Sequence, residues 1–114
     1  MLRQIVVSIA VSACNIAIHA IVMTATVSVL MAAHIAEVAA WAIAYAVVGI
    51  APAGTDLVYF AFVNYTTLGY GDVVPLPRWS LLGPMTAMNG VLLFGWSTAV
   101  IFAVLQKAWV REVS

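Results

Sequence analysis

The chain has 114 residues, with four Lys or Arg against four Asp or Glu, so its formal net charge is zero. Hydrophobic residues make up 66% and charged residues 7%, and the mean hydropathy is +1.14, whereas a soluble domain carries about 25% charged residues. This excludes a water-soluble globule, whose surface could not be covered with polar groups. It also excludes a polybasic nucleic-acid surface. The expected surroundings are membrane lipids, and no nucleic acid is expected as a partner.

Residues 5–50 are almost uninterrupted apolar sequence, without Pro and without Gly before Gly49. One helix of that length would be roughly 69 Å long at 1.5 Å per residue, about twice the bilayer core. A hairpin turning at Thr24-Ala25-Thr26-Val27-Ser28 is therefore favoured, with limbs at about 4–24 and 29–50 and thus an additional N-terminal transmembrane helix. A single long or kinked helix is the alternative. The turn has no strong breaker and no Lys or Arg, so the positive-inside rule does not support it.

The hairpin would bring His19 level with His34, and Asn15 close to the depth of Glu37. Polar groups in lipid need such partners, so these four residues are the expected polar interhelical contacts. A pH-sensitive pair, or a gating contact, is the alternative reading of His34 and Glu37. Trp41 and Tyr45 continue that face as packing groups. Cys14, the single cysteine, follows Val11-Ser12-Ala13 in a stretch resembling a lipoprotein cleavage box. A 13-residue signal would be short against the usual ~15–30, and a small apolar side chain in a membrane helix is the favoured reading.

Ala51-Pro52-Ala53-Gly54 ends the run in a tight loop. Thr55 is expected to cap a short helix over about 56–66, with Asp56 at its positive end. That helix is too short to cross the bilayer. Residues 67–72 are Gly-rich and show no helical pattern. Pro75, Pro77 and Arg78 mark a surface loop, and a long apolar helix returns from Trp79 to about Val110. Lys107, Trp109 and Arg111 suit the inner membrane interface. The organisation is thus an N-terminal apolar segment over 1–51, a re-entrant unit over 52–78 and an inner helix with a short tail over 79–114.

A half-helix leading into irregular backbone at membrane depth is informative. Lipid cannot satisfy bare backbone groups, so such a segment must be buried in protein or line an aqueous path. Successive carbonyls of an ordinary strand point in opposite directions. To aim several at one axis, alternate residues must take left-handed dihedrals, which Gly69 and Gly71 allow without a Cβ clash. Thr67, Leu68, Gly69 and Tyr70 then offer stacked carbonyl oxygens, and the Thr67 hydroxyl can add one more. Tyr70 is free to point away from that axis and brace the segment.

The heptapeptide Thr66-Thr67-Leu68-Gly69-Tyr70-Gly71-Asp72, in this context, resembles a potassium selectivity filter. The stretch from about Pro52 to Val110 is similar to the pore domain of prokaryotic two-helix potassium channels. The resemblance implies an all-α membrane protein: outer helix, re-entrant pore helix with selectivity filter, and inner helix. It implies potassium conduction by rings of backbone oxygens at Thr67 to Gly71 that replace the ion's hydration shell. One filter strand cannot enclose an ion, so a homotetramer around a fourfold axis is expected. K+ is the permeant ion and no cofactor is expected. The expected setting is a bacterial inner membrane with a cytoplasmic C-terminus.

Further positions follow from the same resemblance. Thr66, Tyr59, Val63 and Asp72 are implied as filter support. Asp72 matches an acidic residue just outside the filter. Tyr59 falls where the family often carries a Trp bonded to that acid, which implies a Tyr59–Asp72 hydrogen bond. Val63 replaces a buried Glu found in some members, so inactivation that depends on that carboxylate is not implied. Leu68 stands at the usual Val position and leaves a weakly selective cation channel as an alternative. Gly90 matches the gating hinge of the inner helix, with Gly95 nearby; close helix packing is an equal reading of both.

A non-conducting membrane assembly subunit is the alternative from another class. An enzyme is not expected, because no Ser/His/Asp set or carboxylate pair falls in an aqueous pocket. No row of Arg at every third position suggests a voltage sensor. No nucleotide- or calcium-binding domain is expected after residue 110.

Overall fold

The structure, a computed structural model, describes the backbone through residue 113 and side chains through Val110. Among the described residues there are three α-helices: α1 (Leu2–Val48), α2 (Leu57–Tyr65) and α3 (Leu82–Val113), with a 3-10 turn at Pro77–Trp79 before α3. The short α2 is wedged between the two long helices. Arg111, expected at the inner interface, has a side chain outside the described residues.

The hairpin expected at 24–28 does not form. α1 runs without interruption for 47 residues, about 70 Å at the standard rise. The polar residues that suggested a turn bond along their own helix instead. Thr26 donates to the Val22 carbonyl and Ser28 to the Thr24 carbonyl, each at 2.8 Å. His19 Nδ1 lies 2.7 Å from the Asn15 carbonyl. Such bonds satisfy a hydroxyl inside a helix without a second limb, so nothing forces the chain to turn. His19 and His34 therefore lie about 22 Å apart along one axis rather than face to face.

Gly49 ends α1 with φ 62° and ψ 55°. Its N–H bonds to the Ala46 carbonyl, and the N–H of Ile50 to that of Tyr45. This paired closure needs a left-handed residue, which Gly supplies at low cost. Ile50 then packs, fully buried, in the same cluster as Tyr45. α2 begins at Asp56, whose carboxylate accepts from the amides of Val58 and Tyr59 at 3.1 and 3.0 Å. Asp56 rather than Thr55 is thus the cap; the Thr55 hydroxyl donates to the Pro52 carbonyl.

Burial concentrates around α2. Val38, Ala42, Tyr45 and Ile50 pack with Phe60, Ala61 and Tyr65. Outside this cluster most apolar side chains of α1 and α3 are exposed, as lipid-facing surfaces must be. Polar pairs fix the antiparallel register of the long helices. His34 meets Ser97, Trp41 meets Asn89 and Tyr45 meets Thr86. Steps of 7 and 4 along α1 are matched by steps of 8 and 3 back along α3, as antiparallel neighbours at similar rise require.

Tyr45 and Thr86, both 0% exposed, leave no buried hydroxyl unsatisfied. Asn64 Nδ2 donates to the Tyr45 hydroxyl, which donates to Thr86 Oγ1 at 2.6 Å. Thr86 donates in turn to the Leu82 carbonyl. A buried polar chain is tolerable only when each member is partnered.

Candidate ion-conduction site

The pore helix α2 has nine residues, about 14 Å long, less than half of a bilayer core. Its C-terminal end leads directly into residues 67–72. Thr66 closes the helix, its hydroxyl donating to the Phe62 carbonyl at 2.7 Å. The N–H of Thr67 then bonds to the Asn64 carbonyl and that of Leu68 to the Val63 carbonyl, at 3.1 and 3.0 Å. This is the paired closure seen at the end of α1, with Thr67 in the place of Gly49. Thr67 accordingly has φ 62°, and among the described residues it is the one non-glycine with positive φ.

Gly69 and Gly71 follow with φ 58° and 77°. Left-handed dihedrals thus recur at 67, 69 and 71, every second residue. Such alternation is the backbone pattern that aiming successive carbonyls at one axis requires. The two glycines were expected to do this; Thr67 was not, because a β-branched residue is disfavoured there. The signal was positional: Thr67 lies where a helix of this length must close. Among the described residues, the amides from Gly69 to Val74 make no backbone hydrogen bond. The outer loop is tied down again where the Leu76 N–H bonds to the Ile50 carbonyl at 2.8 Å.

The residues implied as support lie near this segment. The Tyr59 hydroxyl donates to Asp72 Oδ2 at 2.7 Å, joining the pore helix to the far end of the segment. The bond to a carboxylate holds the Tyr59 phenol above its usual range, with desolvation adding to the effect. Val63 is buried, at 5% exposure, and its carbonyl accepts from the Leu68 N–H. Leu68 and Tyr70 are exposed, at 53% and 69%.

Gly90 lies where α3 crosses the end of α2. A Cβ placed on it would sit 2.0 Å from the Tyr65 carbonyl oxygen and 3.0 Å from its carbon. Only glycine lets the two backbones approach so closely, which is the packing alternative for this position. A Cβ on Gly95 would meet nothing within 4 Å.

His34 and Glu37 are on one face and in contact, but not with Asn15 or His19. Their partners are Tyr65 on α2 and Ser97 on α3. The expectation failed with the hairpin that supported it. Tyr65, Asn64, Thr86, Asn89 and Ser97 were not singled out from the sequence. The available signal was the presence of polar side chains on helices otherwise nearly all apolar.

With this geometry in view, the comparisons with known proteins agree in class. The family model described as "Ion channel" matches residues 33–107, about two thirds of the chain, taking in the end of α1, all of α2 and the irregular segment, and most of α3. The chain belongs to this ion channel family. It is an integral membrane protein, an ion channel subunit. No curated protein and no solved structure matches it.

Proposed function

We propose that the chain is one subunit of a potassium-selective channel, four copies of which surround a pore lined by residues 67–71. The reading rests on one observation above all: left-handed backbone at Thr67, Gly69 and Gly71 within Thr66-Thr67-Leu68-Gly69-Tyr70-Gly71-Asp72. The carbonyls of Thr67, Leu68, Gly69 and Tyr70, with the Thr67 hydroxyl, supply the oxygens that replace water around a dehydrated ion. Rings of such oxygens need several chains around one axis, and exposed Leu68 and Tyr70 give each chain a surface to set against its neighbour. The C-terminal end of α2 points its partial negative charge at the start of the strand and favours a cation there.

Potassium passes passively, with no cofactor. The C-terminal end of α3 lies at the inner, cytoplasmic face of a bacterial plasma membrane, a reading supported by exposed Lys107 and Trp109 as basic and aromatic interface anchors. Purified protein in liposomes should carry a K+ flux down its gradient and run as a tetramer in native mass measurements. Substituting Ala at Gly69 or Gly71 should remove the flux, because a Cβ disfavours the left-handed backbone. Liposomes without flux, or a monomeric protein, would contradict the proposal.

A further inference from the structure

The three helices meet at one imidazole. His34 Nδ1 lies 2.8 Å from the Tyr65 hydroxyl and 3.2 Å from Glu37 Oε2, and its Nε2 lies 2.8 Å from Ser97 Oγ. The Tyr65 hydroxyl donates to Glu37 Oε2. The site is sheltered: Tyr65 is 1% exposed, and the His34 and Glu37 side chains are 13% and 34% exposed. The Phe94 ring stands edge-on to both His34 and Tyr65, with centroids 4.9 and 5.3 Å away.

The proton positions follow from counting. Tyr65 gives its one proton to Glu37, so its oxygen accepts, and His34 Nδ1 must carry a hydrogen. In the neutral ring Nε2 is then an acceptor, and Ser97 donates to it. Protonating Nε2 reverses only that last bond: Ser97 becomes the acceptor, and every other bond keeps its direction. The result is an imidazolium beside the Glu37 carboxylate in place of a carboxylate with neutral partners. A charge-assisted contact is stronger than a neutral one, so the cluster tightens on protonation without rearranging.

Tyr65 is held at both ends. Its phenol is gripped by α1, and its carbonyl lies against Gly90 of α3. Two residues later begins the left-handed turn at Thr67. We propose that His34, Glu37, Tyr65 and Ser97 form a proton-operated brace behind the filter, in which Glu37 and Tyr65 are positioning residues and the charge on His34 sets how firmly the end of the pore helix is held. The inference rests on reading residues 66–72 as a filter. The ionisable groups facing His34 are Glu37 from α1 and Tyr65 from α2. α3 presents Ser97 and Phe94, neither of which titrates near neutrality. Imidazole is the side chain whose charge ordinarily changes between about pH 5 and 8. The braced geometry coexists here with the left-handed filter backbone, so acid should favour conduction.

The test is K+ current through wild-type protein in planar bilayers from pH 8 to 5.5, beside His34→Gln. Wild type should show a several-fold rise with one transition, and His34→Gln should be flat. A wild-type current that is present but flat or falling across this range, or a variant that still rises, overturns the proposal. A second readout does not depend on conduction: NMR of protein labelled at His and Tyr, in detergent. The His34 ring nitrogens and the Tyr65 phenolic carbon should titrate with a common midpoint that moves in Ser97→Ala. A Tyr65 signal that ignores His34 overturns the brace even in a conducting channel. Absence of current at every pH, with that coupling intact, sinks the filter reading and supports the brace.

Discussion

Thr67 occupies at the end of α2 the position that Gly49 occupies at the end of α1. Both take φ 62°, and in both closures the residue's own N–H and the next one bond back to carbonyls three and five residues earlier. Gly49 does this freely. A side-chain-bearing residue in left-handed backbone costs roughly 1–2 kcal/mol. Backbone strain of this kind persists where surrounding structure enforces it, often at functional sites. What Thr67 offers in return is a hydroxyl at the inner end of the proposed oxygen stack.

Thr67→Gly separates these roles. Stability should stay level or rise, because relief of about 1–2 kcal/mol of backbone strain exceeds or offsets about 0.5–1 kcal/mol of added chain entropy. Selectivity for K+ over Na+ should fall with the lost hydroxyl. Thermal unfolding in detergent and bi-ionic currents measure the two; a large stability loss with selectivity retained would refute this division of labour.

Gly90 and Gly95 should respond differently to the same methyl group. Gly90→Ala forces a Cβ toward the Tyr65 carbonyl, where only 2.0 Å is available, and should cost about 1–3 kcal/mol as overpacking does. Gly95→Ala meets no atom within 4 Å in the subunit and gains up to about 1 kcal/mol of helix propensity. Unfolding temperatures of the two variants should move in opposite directions. If Gly95→Ala instead disrupts the oligomer, Gly95 sits at a contact between subunits.

Removing one hydroxyl tests the buried chain between the long helices. Tyr45→Phe deprives half-buried Asn64 of an acceptor and buried Thr86 of a donor. Leaving such groups unmet costs about 1–3 kcal/mol. Chemical unfolding should show that loss, with Thr86→Val costing less when added to Tyr45→Phe than alone, since the pair acts as one unit.

The Tyr59–Asp72 bond joins α2 to the far end of the proposed filter. Tyr59→Phe should leave assembly intact and hasten the decline of current during prolonged conduction. Asp72→Asn should do the same, and the double variant should be no worse than either. Additive effects would mean that the two residues act separately.

Much of the proposed site was legible because it rests on backbone chemistry that a few residue types dictate. Gly69 and Gly71 announce left-handed backbone, and the brevity of the helix before them follows from Pro52, Gly54 and the end of the apolar run. The Tyr59–Asp72 bond came with the family resemblance. The course of α1 was not legible: Thr24, Thr26 and Ser28 look like a turn, yet each is equally compatible with a helix when hydroxyls bond to carbonyls four residues back. That misreading carried Asn15 and His19 into partnership with His34 and Glu37. The true partners, Tyr65 and Ser97, are 31 and 63 residues from His34; no local pattern encodes such pairs.

We propose that the backbone of residues 67–71 selects K+. The most direct measurement is the reversal potential of the purified channel in a planar bilayer, with K+ on one side and an equal concentration of Na+ on the other. The reversal potential should be displaced far toward the potassium equilibrium potential, and less far in Thr67→Gly, which keeps the left-handed backbone and loses one hydroxyl. A wild-type current that reverses near zero would contradict it.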